Sequence, residues 1–418
     1  MRNDTSHTLL KTAIAWTVAG VAVLITAACS SPSRLDAVPA SLQNQAIVPG
    51  MAGIRYRQGY FDDLMRDGLE AARREAAALR AAGHQGPLPT ANFLAISGGG
   101  ENGAYGAGLL VGWTAAGTRP EFKAVTGVST GALTAPFAFL GPRYDAQLRE
   151  VYTAVSAKDV LEERGLLAAL FDDAMADNAP LRQLVKRLVD QQMLEAIAVE
   201  HAKGRILLIG TTDLDARRGV IWNVGKIAAS GHPKALDLLH NVLIASAAIP
   251  GAFPPMMLDV EVDGKRYQEM HVDGGATAQV FMYPPSLNLS QSGLQRDRRV
   301  YIVRNARLDP DWSNVERNTL SIAGRAITSL IQTQGVGDIY RIYTTAERDD
   351  VDFNLAFIPD TFTVELKRPF DRDYMKALFD VGYELAAKGY PWAKAPPGFA
   401  PPAPQRSEER RVGKECRL

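Results

Sequence analysis

Residues 123–133 read KAVTGVSTGAL, an apolar run that passes through Gly127-Val128-Ser129-Thr130-Gly131 into small residues that suit a helix start. The pentapeptide has the form G-x-S-x-G. A serine on a sharp strand-to-helix turn points its hydroxyl out of the sheet, and glycines on both sides let the backbone make that turn. The following helix aims its free N–H groups and positive dipole end back at the hydroxyl, which suits an anionic intermediate. An isolated G-x-S-x-G also fits an ordinary glycine-rich turn, so its neighbours decide.

Upstream, residues 93–113 read FLAISGGGENGAYGAGLLVGW. Residues 93–96 form a buried-strand pattern, and residues 104–113 read as a tightly packed helix. Between them Gly98, Gly99 and Gly100 let backbone N–H groups converge into an anion-binding concavity. Two anions fit. One is a phosphate, because Gly98, Gly100 and Gly103 formally match the dinucleotide fingerprint. The other is the oxyanion of acyl transfer. A dinucleotide fold needs an acidic residue at the end of its second strand. Here that strand, expected over residues 122–125, runs into Thr126-Gly127-Val128-Ser129, and Glu121 precedes it. No Gly-Lys-Ser/Thr follows either, so the oxyanion reading is preferred.

Downstream, residues 267–281 read YQEMHVDGGATAQVF, with Asp273 before Gly274 and Gly275 at the end of a strand-like segment. A carboxylate beside two glycines is open to close approach by a neighbouring strand end, although Asp-Gly turns are common. The succession of glycine loop, G-x-S-x-G and D-G-G resembles the patatin-like phospholipase family. Residues 245–255, ASAAIPGAFPP, resemble the family's segment before its aspartate. The likeness spans roughly residues 90–285. It implies a Ser-Asp dyad, with Ser129 as nucleophile and Asp273 as general base. It further implies an oxyanion hole from the N–H groups of Gly98, Gly99 and Gly100, an elbow shaped by Gly127 and Gly131, and no metal or cofactor. Asn102 stands where the family often carries Arg or Lys, which leaves the backbone donors to stabilise charge.

Histidine positions test this independently. The α/β-hydrolase triad runs serine, acid, histidine. The six histidines are His7, His84, His201, His232, His240 and His271, and none follows Asp273. A triad using Asp213 or Asp215 with a later histidine has no motif behind it. His271 would share a strand face with Asp273 and is read as a packing or surface residue.

The 418 residues are 46% hydrophobic, enough for a sizeable core, and carry 46 Lys+Arg against 46 Asp+Glu. Such balance gives no electrostatic footprint for nucleic acid. Arg2 and Lys11 flank the start of an apolar, small-residue stretch over residues 12–28. It falls short of the about 20 residues of a membrane span and matches a signal-peptide core. The stretch ends Ala27-Ala28-Cys29-Ser30-Ser31, which resembles a bacterial lipoprotein processing site with Cys29 lipidated. The expected location is the periplasmic face of a cell-envelope membrane, the outer one favoured by Ser30. An uncleaved span or plain secretion are the alternatives. Cys29 and Cys416 are the 2 cysteines, so a structural disulfide is not expected and a cysteine metal site is excluded.

The expected organisation is a signal peptide (1–28), a tether (29–50), an N-terminal helical cap (51–90), a hydrolase domain (91–395) and a Pro-rich tail (396–418). The charged, aperiodic end of that tail resembles vector-derived sequence. Residues 204–212 and 299–304 read as further strands, with Asp213 as a strand-end cap. Residues 320–345 and 373–388 read as helices. Alternation of strands and helices predicts a three-layer α/β/α sandwich with a mostly parallel central sheet. The function expected is a membrane-anchored serine acyl hydrolase of lipid or ester substrates, with oligomeric state open. A dinucleotide-binding oxidoreductase and a non-catalytic lipid-binding lipoprotein are the alternatives.

Overall fold

The structure is a computed structural model that describes residues 34–163, 174 and 176–399. Cys29, Cys416, the expected signal peptide and the tail beyond residue 399 lie outside the described residues.

Among the described residues, nine strands form one sheet. They are β1 (Arg55–Arg57), β2 (Ala91–Ile96), β3 (Ala124–Val128), β4 (Ile206–Asp213), β5 (Arg218–Asn223), β6 (Met256–Val262), β7 (Lys265–Asp273), β8 (Arg298–Arg304) and β9 (Asp352–Phe357). Strands β4, β3, β2, β8 and β9 run parallel as neighbours in that order. Antiparallel strands β5 and β1 extend the β4 side. The parallel strands are near-continuous apolar runs because helices cover both faces. This is the mostly parallel three-layer arrangement that the alternation predicts.

Six helices matter for the site: α1 (Asp62–Ala81), α2 (Gly103–Ala115), α3 (Thr130–Leu140), α4 (Ala235–Ser246), α5 (Thr319–Arg348) and α6 (Arg372–Ala387). On one face α2, α3, α4 and α6 bury Leu109, Phe139, Leu243 and Phe379 against Leu94, Ile96 and Ile209. On the other, Ile339, Ile342 and Tyr343 of α5 cover Ala95, Val300, Ile302 and Phe353.

Three expectations need correction. The second strand does not stop at residue 125 but continues through Val128, so it delivers the serine directly from its last residue. Residues 34–50 are not a free tether: Val38 and Ala46 are buried with Val260, Val262 and Tyr267, and Ile47 bridges Glu261. The segment 51–90 is only partly a cap, because Arg55–Arg57 pair with β5 inside the sheet. Its helix α1 does cap, but at the edge remote from the serine. There Glu75 pairs with Lys123 and Arg296, just before β3 and β8, each at 2.7 Å.

Candidate active site at the carboxyl edge of the sheet

Ser129 stands between the last residue of β3 and the first of α3 with φ 56° and ψ −127°. Such a backbone is costly for a residue with a side chain and persists where surroundings enforce it. The enforcement is visible. A side chain at Gly127 would meet Gly131 O at 2.4 Å, and one at Gly131 would meet Ile96 O at 2.4 Å. The two glycines thus let strand, turn and helix nest together. The Ser129 N–H donates to Ser246 Oγ at 3.0 Å, and the Ser246 hydroxyl donates to Gly210 O at 2.6 Å. Ser246 is fully buried at the end of α4, so it ties the elbow to β4.

Strand register brings Asp273 to the same place. One edge of β4 is paired with β5 from Leu208 to Asp213. On the other edge β3 runs parallel up to Val128, opposite Gly210. The next position, Thr211, is opposite Asp273 of antiparallel β7. Strands β3 and β7 therefore meet head to head, and Ser129 and Asp273 are their tips. Gly274 permits the junction, since a Cβ there would lie 2.4 Å from Gly210 O.

Asp273 is buried. Its Oδ1 accepts the Gly275 N–H at 2.6 Å, while Oδ2 is buried without a formed hydrogen bond. Burial raises its pKa from 3.8 to about 6, and the Ser129 hydroxyl and Gly275 N–H pull it part of the way back. The Ser129 hydroxyl is thus near enough to Asp273 to lower its pKa, although it makes no closed hydrogen bond to Oδ2.

The glycine loop follows β2 at the same edge. Asn305, fully buried just beyond β8, clamps it: its Nδ2 donates to Ser97 O at 2.9 Å and its N–H to Ser97 Oγ at 2.8 Å. Its Oδ1 accepts the Gly106 N–H of α2 at 3.1 Å. Gly99 (φ 154°) lies against this clamp, and a Cβ there would fall 2.2 Å from Asn305 O. Gly100 (φ 56°) faces open space. Gly98 departs from expectation, because its N–H donates to Gln279 O at 3.0 Å and is already spent. Of the three glycines, this leaves Gly99 and Gly100 as candidate oxyanion donors. Asn102 accepts a hydrogen bond from Tyr374 at 2.7 Å.

Asp213, Glu269 and His271 place potential metal-ligand atoms within 4.8 Å of one another. The cluster is closed by other partners. Arg55 and Arg57 bind Glu269 at 2.5 and 3.3 Å. Trp222 Nε1–H donates to Thr211 Oγ1 at 2.8 Å, which in turn reaches His271 Nδ1 at 2.9 Å. His271 Nε2 meets Glu269 at 3.1 Å. Both ring nitrogens of His271 are therefore held, one by Thr211 and the other by Glu269. Burial would raise the Glu269 pKa, but Arg55 and then His271 hold it well below the usual range. Asp213 accepts from Ala216 N–H, as a strand-end cap does, and burial raises its pKa. His271 is thus a structural partner of Glu269 and Thr211, not of Asp273.

Behind the Asp273 turn, on the α5 face, lies an apolar cavity of about 230 Å³ lined in part by Val128, Gly274, Phe281 and Ile342.

Comparison with protein families matches residues 94–283 to the model described as Patatin-like phospholipase. Residues 94–283 are a patatin-like phospholipase domain. The patatin-like domain spans the glycine loop, the Ser129 elbow and the Asp273 turn. Comparison with curated proteins found no match. Among solved structures the chain is similar to VipD from Legionella pneumophila, at 10% identity and a TM-score of 0.35. That likeness covers 72% of this chain and 66% of VipD. It is also similar to the complex of SpcU with ExoU from the type III secretion system of Pseudomonas aeruginosa. There the identity is 13%, the TM-score 0.29, and coverage 72% of this chain and 52% of the other.

Proposed function

We propose that this protein hydrolyses acyl esters of lipids through a Ser129-Asp273 dyad. The observation that supports this best is the meeting of β3 and β7 tip to tip. It sets a strained serine beside a buried carboxylate whose Oδ2 has no other partner among the described residues. Ser129 Oγ attacks the acyl carbonyl while its proton passes to Asp273, and the carbonyl oxygen becomes an oxyanion facing the Gly99 and Gly100 N–H groups. Collapse breaks the ester C–O bond, and Asp273 returns the proton to the leaving alcohol. Water then attacks the acyl-serine with Asp273 as base, releasing the acid and restoring Ser129. The cavity beside Val128 and Gly274 suits an apolar acyl chain. Turnover of phospholipids, lysophospholipids and short nitrophenyl esters by the purified protein tests the reading, and no turnover of any would contradict it.

Two further results are expected. A carboxyl group that must accept a proton works only when ionised, so kcat/KM should fall about tenfold per pH unit below the Asp273 pKa of about 6 and level off above it. A profile flat through that region would contradict the assignment. The glycines should differ from each other. Gly99→Ala forces a Cβ into Asn305 O, displacing the loop and costing on the order of 10²–10³ in turnover. Gly100→Ala meets no atom within 4 Å and carries only the cost of its positive φ, so its donor stays near its place. Steady-state kinetics on the two folded variants checks this, and equal losses would contradict it.

Lipidation at Cys29 and a periplasm-facing, envelope-bound location belong to the same proposal. They are supported by the apolar stretch over residues 12–28 and the Ala27-Ala28-Cys29-Ser30 junction.

A further inference from the structure

Helix α5 is too long for the sheet it covers. Its 30 residues span about 45 Å, whereas the 7 residues of β8 beneath it span about 23 Å. The register shows where the excess goes. The helix runs antiparallel to β8, with Tyr343 edge-to-face on Phe353 of the parallel neighbour β9 at 5.0 Å and Gly335 seated on the Arg304 guanidinium at the end of β8. Gln332 Nε2 already reaches past the strand to Arg307 O at 2.9 Å. The turns before it therefore project beyond the carboxyl edge, the edge that carries Ser129 and the glycine loop.

This overhang is apolar and, among the described residues, uncovered. Ile322, Ile327 and Leu330 are 52%, 56% and 70% exposed, and Trp312 in the loop leading to the helix is 90% exposed. Between Thr319 and Gly337 the sole charged residue is Arg325, which pairs with Asp311 at 3.2 Å. An isolated helix with little charge and unburied Ile and Leu is poorly stabilised in water and calls for a covering partner. Val364 and Leu366, in the loop that leaves β9 at the same edge, are exposed as well.

We propose that residues 312–331 form a docking element that enters the interface of a lipid bilayer and turns the catalytic edge toward the membrane. The inference rests on the lipid-hydrolase reading above, since the esters to be cleaved reside in that bilayer. Three observations favour a lipid surface over another occupant. The overhang shares the edge of the proposed active site. Trp312 and Arg325 are residue types that settle at headgroup level, with apolar neighbours below. Arg34, five residues after the Cys29 proposed above to carry a lipid, is bound to Asp215 at 2.6 Å just beyond β4, at that same edge. The loop and overhang balance Arg307, Arg317 and Arg325 against Asp309, Asp311 and Glu316. Docking should therefore be driven by apolar burial and need no anionic lipid.

The test uses the full chain and the double variant Ile327→Glu, Leu330→Glu. On phosphatidylcholine vesicles its phospholipid turnover should fall about tenfold or more, while turnover of a water-soluble nitrophenyl ester stays unchanged. In the inactive Ser129→Ala background, brominated phosphatidylcholine should quench Trp312, read as the difference from Trp312→Phe, and the double variant should abolish that quenching. The quenching arm needs no turnover, so it decides docking even if the hydrolase reading fails. Unquenched Trp312 in the parent chain overturns the proposal. So does an equal loss on vesicles and soluble ester, which would place the helix in the active site itself. Conversion of a dimer to a monomer by the double variant, with vesicle turnover intact, would instead assign the face to a second copy of the chain.

Discussion

Ser129→Ala should yield a folded protein whose ester turnover sits at background, a loss on the order of 10⁴-fold or more. The size follows from the proposed chemistry. Without the hydroxyl no acyl-enzyme forms, and the remaining donors act only on direct attack by water. Folding should survive because Ser129 Oγ is not among the groups that hold the elbow. Those are its own N–H on Ser246 Oγ and the close nesting of Gly127 and Gly131. Alanine keeps the positive φ of 56° and so keeps the strain. Ser129→Gly would remove it and should raise stability by about 1 kcal/mol or more, with activity equally lost. Thermal melts of the three proteins beside nitrophenyl ester kinetics check both parts. A Ser129→Ala enzyme at wild-type rate would refute the nucleophile.

Asp273→Asn should be nearly as inactive, yet no less stable than the parent at neutral pH. The amide cannot accept the serine proton, and the two residues act as one unit, so losing either costs almost as much as losing both. Stability moves the other way. Burial raises the folded-state pKa from 3.8 to about 6, so the folded state holds this proton more tightly than the unfolded chain. With respect to this group, stability is greatest below about pH 4, declines as pH rises toward 6, and is constant above it. At pH 7 the ionised group costs at most roughly 3 kcal/mol, which asparagine escapes. Such a trade of stability for function is expected where a charge is buried for chemistry. Melting curves at neutral and mildly acidic pH read it directly. An Asp273→Asn variant that is active, or whose stability gain grows as pH falls, would contradict the account.

The parts of the site that depend on local chain geometry were legible in the sequence. Gly127, Gly131 and Ser129 make a turn only one way, and Gly99 admits no side chain, so the motifs carried their own geometry. The role proposed for Asp273 was expected only through the resemblance. Its structural cause, the head-to-head meeting of β3 and β7 on one edge of β4, depends on pairing between Thr211 and Asp273 far apart in the chain. No short pattern announces it. Which N–H groups are free was equally hidden, since Gly98 is spent on the Gln279 carbonyl. Ser246 and Asn305 escaped for the same reason. Each is a small polar residue at the end of an element, and its value lies in a buried bond to a distant segment. Residues 34–50 read as a tether because Val38 and Ala46 are too sparse to show a period, yet the β6–β7 hairpin gives them a surface to bury.

A fluorophosphonate ester followed by peptide mass mapping tests the central claim most directly. The reagent phosphonylates a hydroxyl that is both activated and faced by oxyanion donors. The account predicts one adduct, on the peptide bearing Ser129, formed in the wild type and in single replacements of His201, His232, His240 and His271. It predicts loss of that adduct in Asp273→Asn. An adduct on another serine, or labelling of Ser129 that survives Asp273→Asn but disappears with one histidine, would contradict the dyad.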